Sequence, residues 1–313
     1  MSVGLIKSIV NRCRAWGSYV LSLVGIVHVR HMPVFVSIEP ANVCQLCCPQ
    51  CPVGQRRPTP TLEGRGEKRL SLEAFRRIIE QITPYADTLI LYFQGEPLLN
   101  KDLPQMIRLA HKKGLFTMLS TNGQAMTPLL AEQLAQAGLN RIIVSVDGMS
   151  QESYEQYRVG GDLRKALAAI GYLREAKMQH NKHLVIEMQC LRLRSNEHEW
   201  AMMRRCYRKI GADLLTLKTA QFYDYEHGND LMPTNPRYCR YKQDKDGVYR
   251  PKNRPSMEQI VHRKSSNRKC YRLWSGCVID VHGNVRPCCF DKEGKYIFGN
   301  VLTQSLQEIW HGD

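Results

Sequence analysis

An α/β chain organised on a parallel sheet is what this 313-residue sequence predicts, and three observations carry the prediction. Six short β-rich runs lie between residues 34 and 219. Longer helical patterns separate them, and crossovers of that length join parallel neighbours. Gly114, Gly138 and Gly211 close helical patterns just before a strand, where a left-handed C-terminal cap is expected. Six such strands suit a doubly wound sheet or an incomplete (β/α) barrel.

The elements follow in order. Residues 1–32 hold apolar runs broken by Asn11, Arg12 and Arg14, and Ala15 to Val29 is too short for a confident membrane span. No small-residue cleavage site follows. The segment reads as an amphipathic helix, packed on the main domain or resting on a membrane surface. Residues 33–220 carry the repeating pattern. Its strands are VFVSI (34–38), TLILYF (88–93), FTMLS (116–120), RIIVSV (141–146), LVIEMQ (184–189) and DLLTLK (213–218). The helices between them are expected over 70–82, 103–114, 128–138, 164–177 and 198–211. Residues 221–265 show no period and read as an extended connector across the barrel mouth. In 266–313, CVIDV and VRPCCF flank HGN, a hairpin signal, and the helix SLQEIW follows.

Composition narrows the function. Hydrophobic residues make up 43% and charged residues 23%, ordinary for a water-soluble globular chain. The net charge of +15 fits an acidic partner (nucleic acid, anionic membrane or acidic peptide) or a basic surface suited to an anionic cofactor. Nucleic acid is not expected, because no basic stripe is interleaved with aromatics. Of twelve cysteines, eight fall in two groups, 44, 47, 48, 51 and 270, 277, 288, 289. Cys13, Cys190, Cys206 and Cys239 are scattered, with Cys190 and Cys206 read as core residues. Such grouping in a large chain favours metal over disulfide and a reducing, cytoplasmic setting.

The octet CQLCCPQC (44–51) contains C-x3-C-x2-C at Cys44, Cys48 and Cys51. Three thiolates on one loop can hold three corners of a cubane [4Fe–4S] cluster and leave one iron open. Zinc would need Cys47 as a fourth ligand and a very tight fold-back. A disulfide suits so short a loop less well. The octet follows the first strand, residues 94–97 the second, 121–123 the third and 147–148 the fourth. Functional residues of parallel α/β folds gather at that rim, so one site is expected there.

In this order the motifs resemble the radical S-adenosylmethionine (SAM) enzymes, from about residue 33 to the C-terminus. The resemblance implies a partial (β/α)6 TIM-like barrel with a small, cysteine-rich C-terminal α+β extension. It implies a [4Fe–4S] cluster on Cys44, Cys48 and Cys51, with Cys47 spare, and SAM chelated at the open iron. One electron then cleaves SAM to a 5′-deoxyadenosyl radical that removes a substrate hydrogen. Gln94, Gly95 and Glu96 match the stretch that receives the SAM amino group. Ser145 matches a ribose contact and Arg158 a partner of the SAM carboxylate, with Asn122 and Gln189 as further SAM contacts. The residue before the last cysteine is usually aromatic, and here it is Gln50, so adenine contacts are expected from Tyr92 or backbone. Each residue also has a plain reading: Glu96–Pro97 and Asp147–Gly148 as turns, Arg158 as a solvated helix charge.

The tail resembles the twitch or SPASM-type extension, which implies a second, auxiliary [4Fe–4S] cluster on Cys270, Cys277, Cys288 and Cys289, with Cys239 in reserve. A zinc site on the same cysteines is the alternative, and the length of the tail leaves room for one extra cluster. The resemblance implies an oxidoreductase or modifying enzyme fed by an electron donor such as flavodoxin or ferredoxin. A ribosomal peptide is the leading substrate, and a sugar or aminocyclitol the second. An iron–sulfur carrier or metal-binding regulator would leave Glu96, Ser145 and Arg158 without a task.

Overall fold

The computed structural model describes residues 3–55, 68–252 and 270–312. The alternating pattern becomes β1 (Phe35–Ile38), α2 (Leu72–Ile82), β2 (Thr88–Ile90), α3 (Leu103–Lys112), β3 (Phe116–Thr121), α4 (Pro128–Gln136), β4 (Arg141–Ser145), α5 (Gln151–Glu155), α6 (Leu163–His180), β5 (Val185–Arg192), α7 (Trp200–Ile210) and β6 (Leu214–Thr219), preceded by α1 (Val3–Leu23). All five pairings from β1 to β6 are parallel. The strands stand in sequence order, with no reversal. A doubly wound sheet needs a switch point where the order reverses, so sequential order selects the partial barrel.

Local chemistry fixes the elements. Ser71 caps α2 by accepting from Ala74 N, and Phe75, Ile78, Ile79 and Ile82 form its buried stripe at spacings of three and four. Gly114, Gly138 and Gly211 all hold positive φ, as the capping argument requires. Two boundaries differ from expectation. β2 ends at Ile90, and β5 runs on to Arg192. Beyond Ile90, Tyr92 and Phe93 line cavities instead.

The connector is less featureless than its composition suggests. β7 (Tyr241–Gln243) and β8 (Tyr249–Pro251) form an antiparallel ribbon around Asp244–Gly247, and Gly247 has φ +80°. Its apolar residues Phe222, Met232, Cys239 and Tyr241 pack with Leu46 and Cys48 of the octet loop. Residues 253–265 of the expected connector lie outside the described residues.

The C-terminal segment holds α8 (Arg272–Ser275), β9 (Gly276–Ile279), β10 (Asn284–Arg286), β11 (Gly299–Asn300) and α9 (Leu306–His311). The HGN hairpin forms, with Val285 opposite Ile279. β9 also pairs in parallel with β1, Val36 beside Cys277, so the extension lengthens the barrel sheet to nine strands among the described residues. One apolar core runs from Val36 and Leu89 to Ile279, Val285 and Leu306. The buried Arg286 is paired at 2.8 Å with the buried Asp280, which closes the hairpin.

Candidate active site at the strand ends

The rim expected from the sequence is one place. A cavity of about 300 Å3 is lined by Cys44, Cys48 and Cys51. Gln94, Gly95 and Glu96 line the same cavity, as do Asn122, Ser145, Arg158 and Gln189. Nine of these ten residues come from the loop after β1, the C-terminal ends of β2 to β4 and β5 itself, and Arg158 comes from the segment after α5. Cys47 is exposed and does not line it.

Close packing builds the cavity wall. Glu96 N donates to Val43 O at 2.7 Å, which brings the second loop onto the first. Gly95 is required there, since a Cβ would stand 2.1 Å from Ala41 O. The Glu96–Pro97 segment is more than a turn. The Glu96 carboxylate is buried and accepts from Thr121 Oγ1 (2.6 Å), Asn122 N (2.8 Å) and Leu98 N (3.1 Å). Burial raises its pKa, and the donors from Asn122, Thr121 and Leu98 act against that rise. Asn122 Nδ2 also reaches Cys44 Sγ at 3.5 Å. Gln94 Nε2 donates to Lys292 O at 2.6 Å, while Gln94 Oε1 is buried without a partner.

Arg158 is not a solvated charge. Its Nε donates to Asp147 Oδ2 at 2.5 Å, and Asp147 is fully buried. Asp147 Oδ1 accepts from Leu191 N, so its side chain joins the ends of β4 and β5 and aims the guanidinium. Arg158 Nη1 lies 3.8 Å from Cys48 Sγ. Burial pushes the Cys48 thiol up, and the Arg158 charge opposes it. Cys44 is pushed up to about 12, chiefly by burial. Both thiols must lose a proton to bind metal.

Two site residues escaped the sequence. Gln50, expected only as a missing aromatic, is buried and bridges to the connector: its Nε2 donates to Asp224 Oδ1 and its Oε1 accepts from Tyr223 N, both at 2.9 Å. Lys292, beyond the second cysteine group, lines the same cavity.

That second group surrounds a neighbouring cavity of about 280 Å3, lined by Cys277, Cys288 and Cys289. Cys270 is exposed and does not line it. Cys277 is buried on β9, its thiol pushed up to about 12 by desolvation. Tyr92 and Phe93 line both cavities and form the partition between them. Cys239, the reserve ligand, lines a different cavity inside the connector. Among the described residues no three His, Cys, Asp or Glu side chains converge as they would around a single metal ion. A cubane asks for less, since its thiolates bind different irons.

The radical SAM superfamily profile matches residues 38–201. The chain belongs to the radical SAM superfamily. An iron–sulfur cluster-binding SPASM domain matches residues 270–313 of this radical SAM protein. The first domain implies a [4Fe–4S] cluster with SAM, and the second implies auxiliary iron–sulfur clusters. The residues fit: three thiols line one cavity while the fourth is exposed, and the orphaned Gln94 Oε1 is buried among the residues that line it.

Relatives of this radical SAM chain include the AdoMet-dependent heme synthase of Nitratidesulfovibrio vulgaris, 24% identical over 88% of this chain and 78% of the relative. The PqqA peptide cyclase of Rhizobium meliloti is 26% identical over 89% and 74%. Streptococcus suis SuiB, solved with its precursor peptide SuiA, superposes with a TM-score of 0.64 at 13% identity, over 94% of this chain and 67% of SuiB. That last likeness concerns the fold.

Proposed function

We propose that the protein is a radical SAM oxidoreductase acting on a substrate held against the Tyr92–Phe93 partition, between the SAM cavity and the second cysteine group. The observation that carries this reading is the convergence of Cys44, Cys48, Cys51, Glu96, Ser145 and Arg158 on one cavity that shares a wall with Cys277, Cys288 and Cys289. When bound, the cluster and SAM supply a 5′-deoxyadenosyl radical that removes a substrate hydrogen atom.

The chain's own residues would bind, orient and shield. Cys44, Cys48 and Cys51 hold the cluster, and the Arg158 charge beside Cys48 favours its thiolate. Glu96, aimed by three donors, presents a carboxylate to the SAM ammonium. Arg158 keeps its Nε on Asp147 and offers its remaining N–H groups to the SAM carboxylate. Gln94 Oε1, Asn122, Ser145 and Gln189 supply polar contacts for the remaining SAM groups. Cys277, Cys288 and Cys289 on the second cavity, with the exposed Cys270 beside them in sequence, would hold an auxiliary cluster, which would supply a one-electron acceptor.

A peptide substrate is supported by the resemblance to the PqqA peptide cyclase and by the SuiB-like fold. A small carboxylate is the second reading, favoured by Lys218 and Arg272 on the second cavity and Lys292 on the first.

The test is anaerobic reconstitution, with about eight irons expected for two clusters. The reduced protein should then convert SAM to 5′-deoxyadenosine. Triple replacement of Cys44, Cys48 and Cys51 by alanine should abolish that product, while Cys47→Ala should keep most of it. Replacing Cys270 and Cys277 should spare SAM cleavage. If the triple variant still made 5′-deoxyadenosine, the reading would fail.

A further inference from the structure

Helix α1 is attached by its wrong face for an ordinary surface helix. Asn11, Ala15, Ser18 and Ser22, spaced four, three and four, are the residues it buries. Asn11 Nδ2 donates to Met32 O at 2.9 Å and to Tyr85 O at 3.2 Å, and its Oδ1 accepts from Met32 N. Ser18 Oγ lies 3.1 Å from His31 Nδ1. Small and polar groups, together with an Arg12–Asp87 ion pair, therefore make the attachment.

The apolar residues are turned outward. Ile6, Ile9, Val10, Trp16, Val20 and Leu21 are each 38–56% exposed. At 100° per residue they centre opposite the buried face. Val24, Ile26 and Val27 continue the surface beyond the helix and are more than half exposed. A water-facing monomer rarely keeps so large an apolar patch uncovered.

Charge selects the cover. The first acidic residue of the chain is Glu39, whereas Lys7, Arg12, Arg14 and Arg30 precede it. All four are exposed. Lys7 and Arg14 fall on one flank of the apolar face, while Arg12, on the other, is held in an ion pair with Asp87. A second copy docked here would set like charges together. No helix among the described residues is long and apolar enough to cross a membrane.

We propose that α1 and residues 24–27 form a monotopic docking surface for an anionic bilayer, with the apolar face in the acyl boundary, Trp16 at the interface and the Lys7–Arg14 flank on lipid headgroups. Trp16 and Tyr19 also pack on Tyr271 at ring distances of 5.4 Å, so docking would bring the segment next to Cys270 to the membrane surface.

The test is flotation of the full chain with vesicles of phosphatidylcholine, with and without phosphatidylglycerol. The protein should float at least about tenfold better with the anionic lipid, and salt should reduce the difference. The variant Ile9→Ser/Val20→Ser/Val24→Ser and the variant Lys7→Glu/Arg14→Glu should each lose flotation with unchanged thermal stability and SAM cleavage. Equal flotation on both vesicles, flotation unaffected by either variant, or dimerisation through α1 without vesicle binding would overturn the proposal.

Discussion

A methyl group on residue 95 would stand 2.1 Å from the carbonyl oxygen of Ala41, and neither backbone can retreat without moving the octet loop. Gly95→Ala is therefore expected to cost about 2–3 kcal/mol in denaturant unfolding and to remove SAM cleavage. An unchanged midpoint with full product would refute the close-approach argument. The cysteine triad and Glu96 were legible in the sequence because their motifs are local and follow strand ends. Asp147 was not, because its dipeptide reads equally as a turn and its pairing with Arg158 depends on the α5 region folding back. Nor was Gln50, whose partner Asp224 lies 174 residues away.

At the scale of elements, α1 is latched to α8 through one imidazole. A carbonyl oxygen can only accept, so His31 Nε2 donates to Trp274 O, leaving Nδ1 to accept from Ser18 Oγ. Burial lowers the His31 pKa from 6.5, the Trp274 hydrogen bond opposes this, and nearby His311 adds to the lowering. A depressed folded-state pKa means that the fold binds the proton more weakly than the unfolded chain. The contribution to stability is then complete above about pH 6.5 and is lost as the pH falls. Amide exchange across residues 11–22 should accelerate between pH 7 and pH 5 beyond its intrinsic pH dependence. His31→Gln should remove that dependence, and an identical profile in the variant would exclude the latch. The β-strands and helices of the barrel were readable from their alternation. The β7–β8 ribbon was masked by charged and aromatic neighbours, although the Asp246–Gly247 dipeptide is a hairpin signal.

For the molecule as a whole, the sequence suggested a barrel and an appended extension, whereas the sheet joins them edge to edge. No local pattern announces that β9 will pair with β1, because parallel partners some 240 residues apart leave no turn signal between them. Removing residues 270–313 should strip one edge of β1 and uncover Val36 and Ile38 in the core. The truncated chain is expected to aggregate or to lose its cooperative thermal transition, measured by circular dichroism and size-exclusion chromatography. A monodisperse fragment with the full-length transition would show instead that the extension folds apart.

The pairing of Val36 with Cys277 also separates spacing in the chain from spacing in the fold. Backbone hydrogen bonds between β1 and β9, rather than the length of chain joining β6 to α8, set where the second cysteine group sits relative to the first. Within that stretch Tyr223 and Asp224 are tied to Gln50, and Phe222, Met232, Cys239 and Tyr241 pack with the octet loop, so these contacts, and not its length, are what a change of substrate would have to keep. The spacing of the two cysteine groups is thereby a property of the sheet and not of chain length.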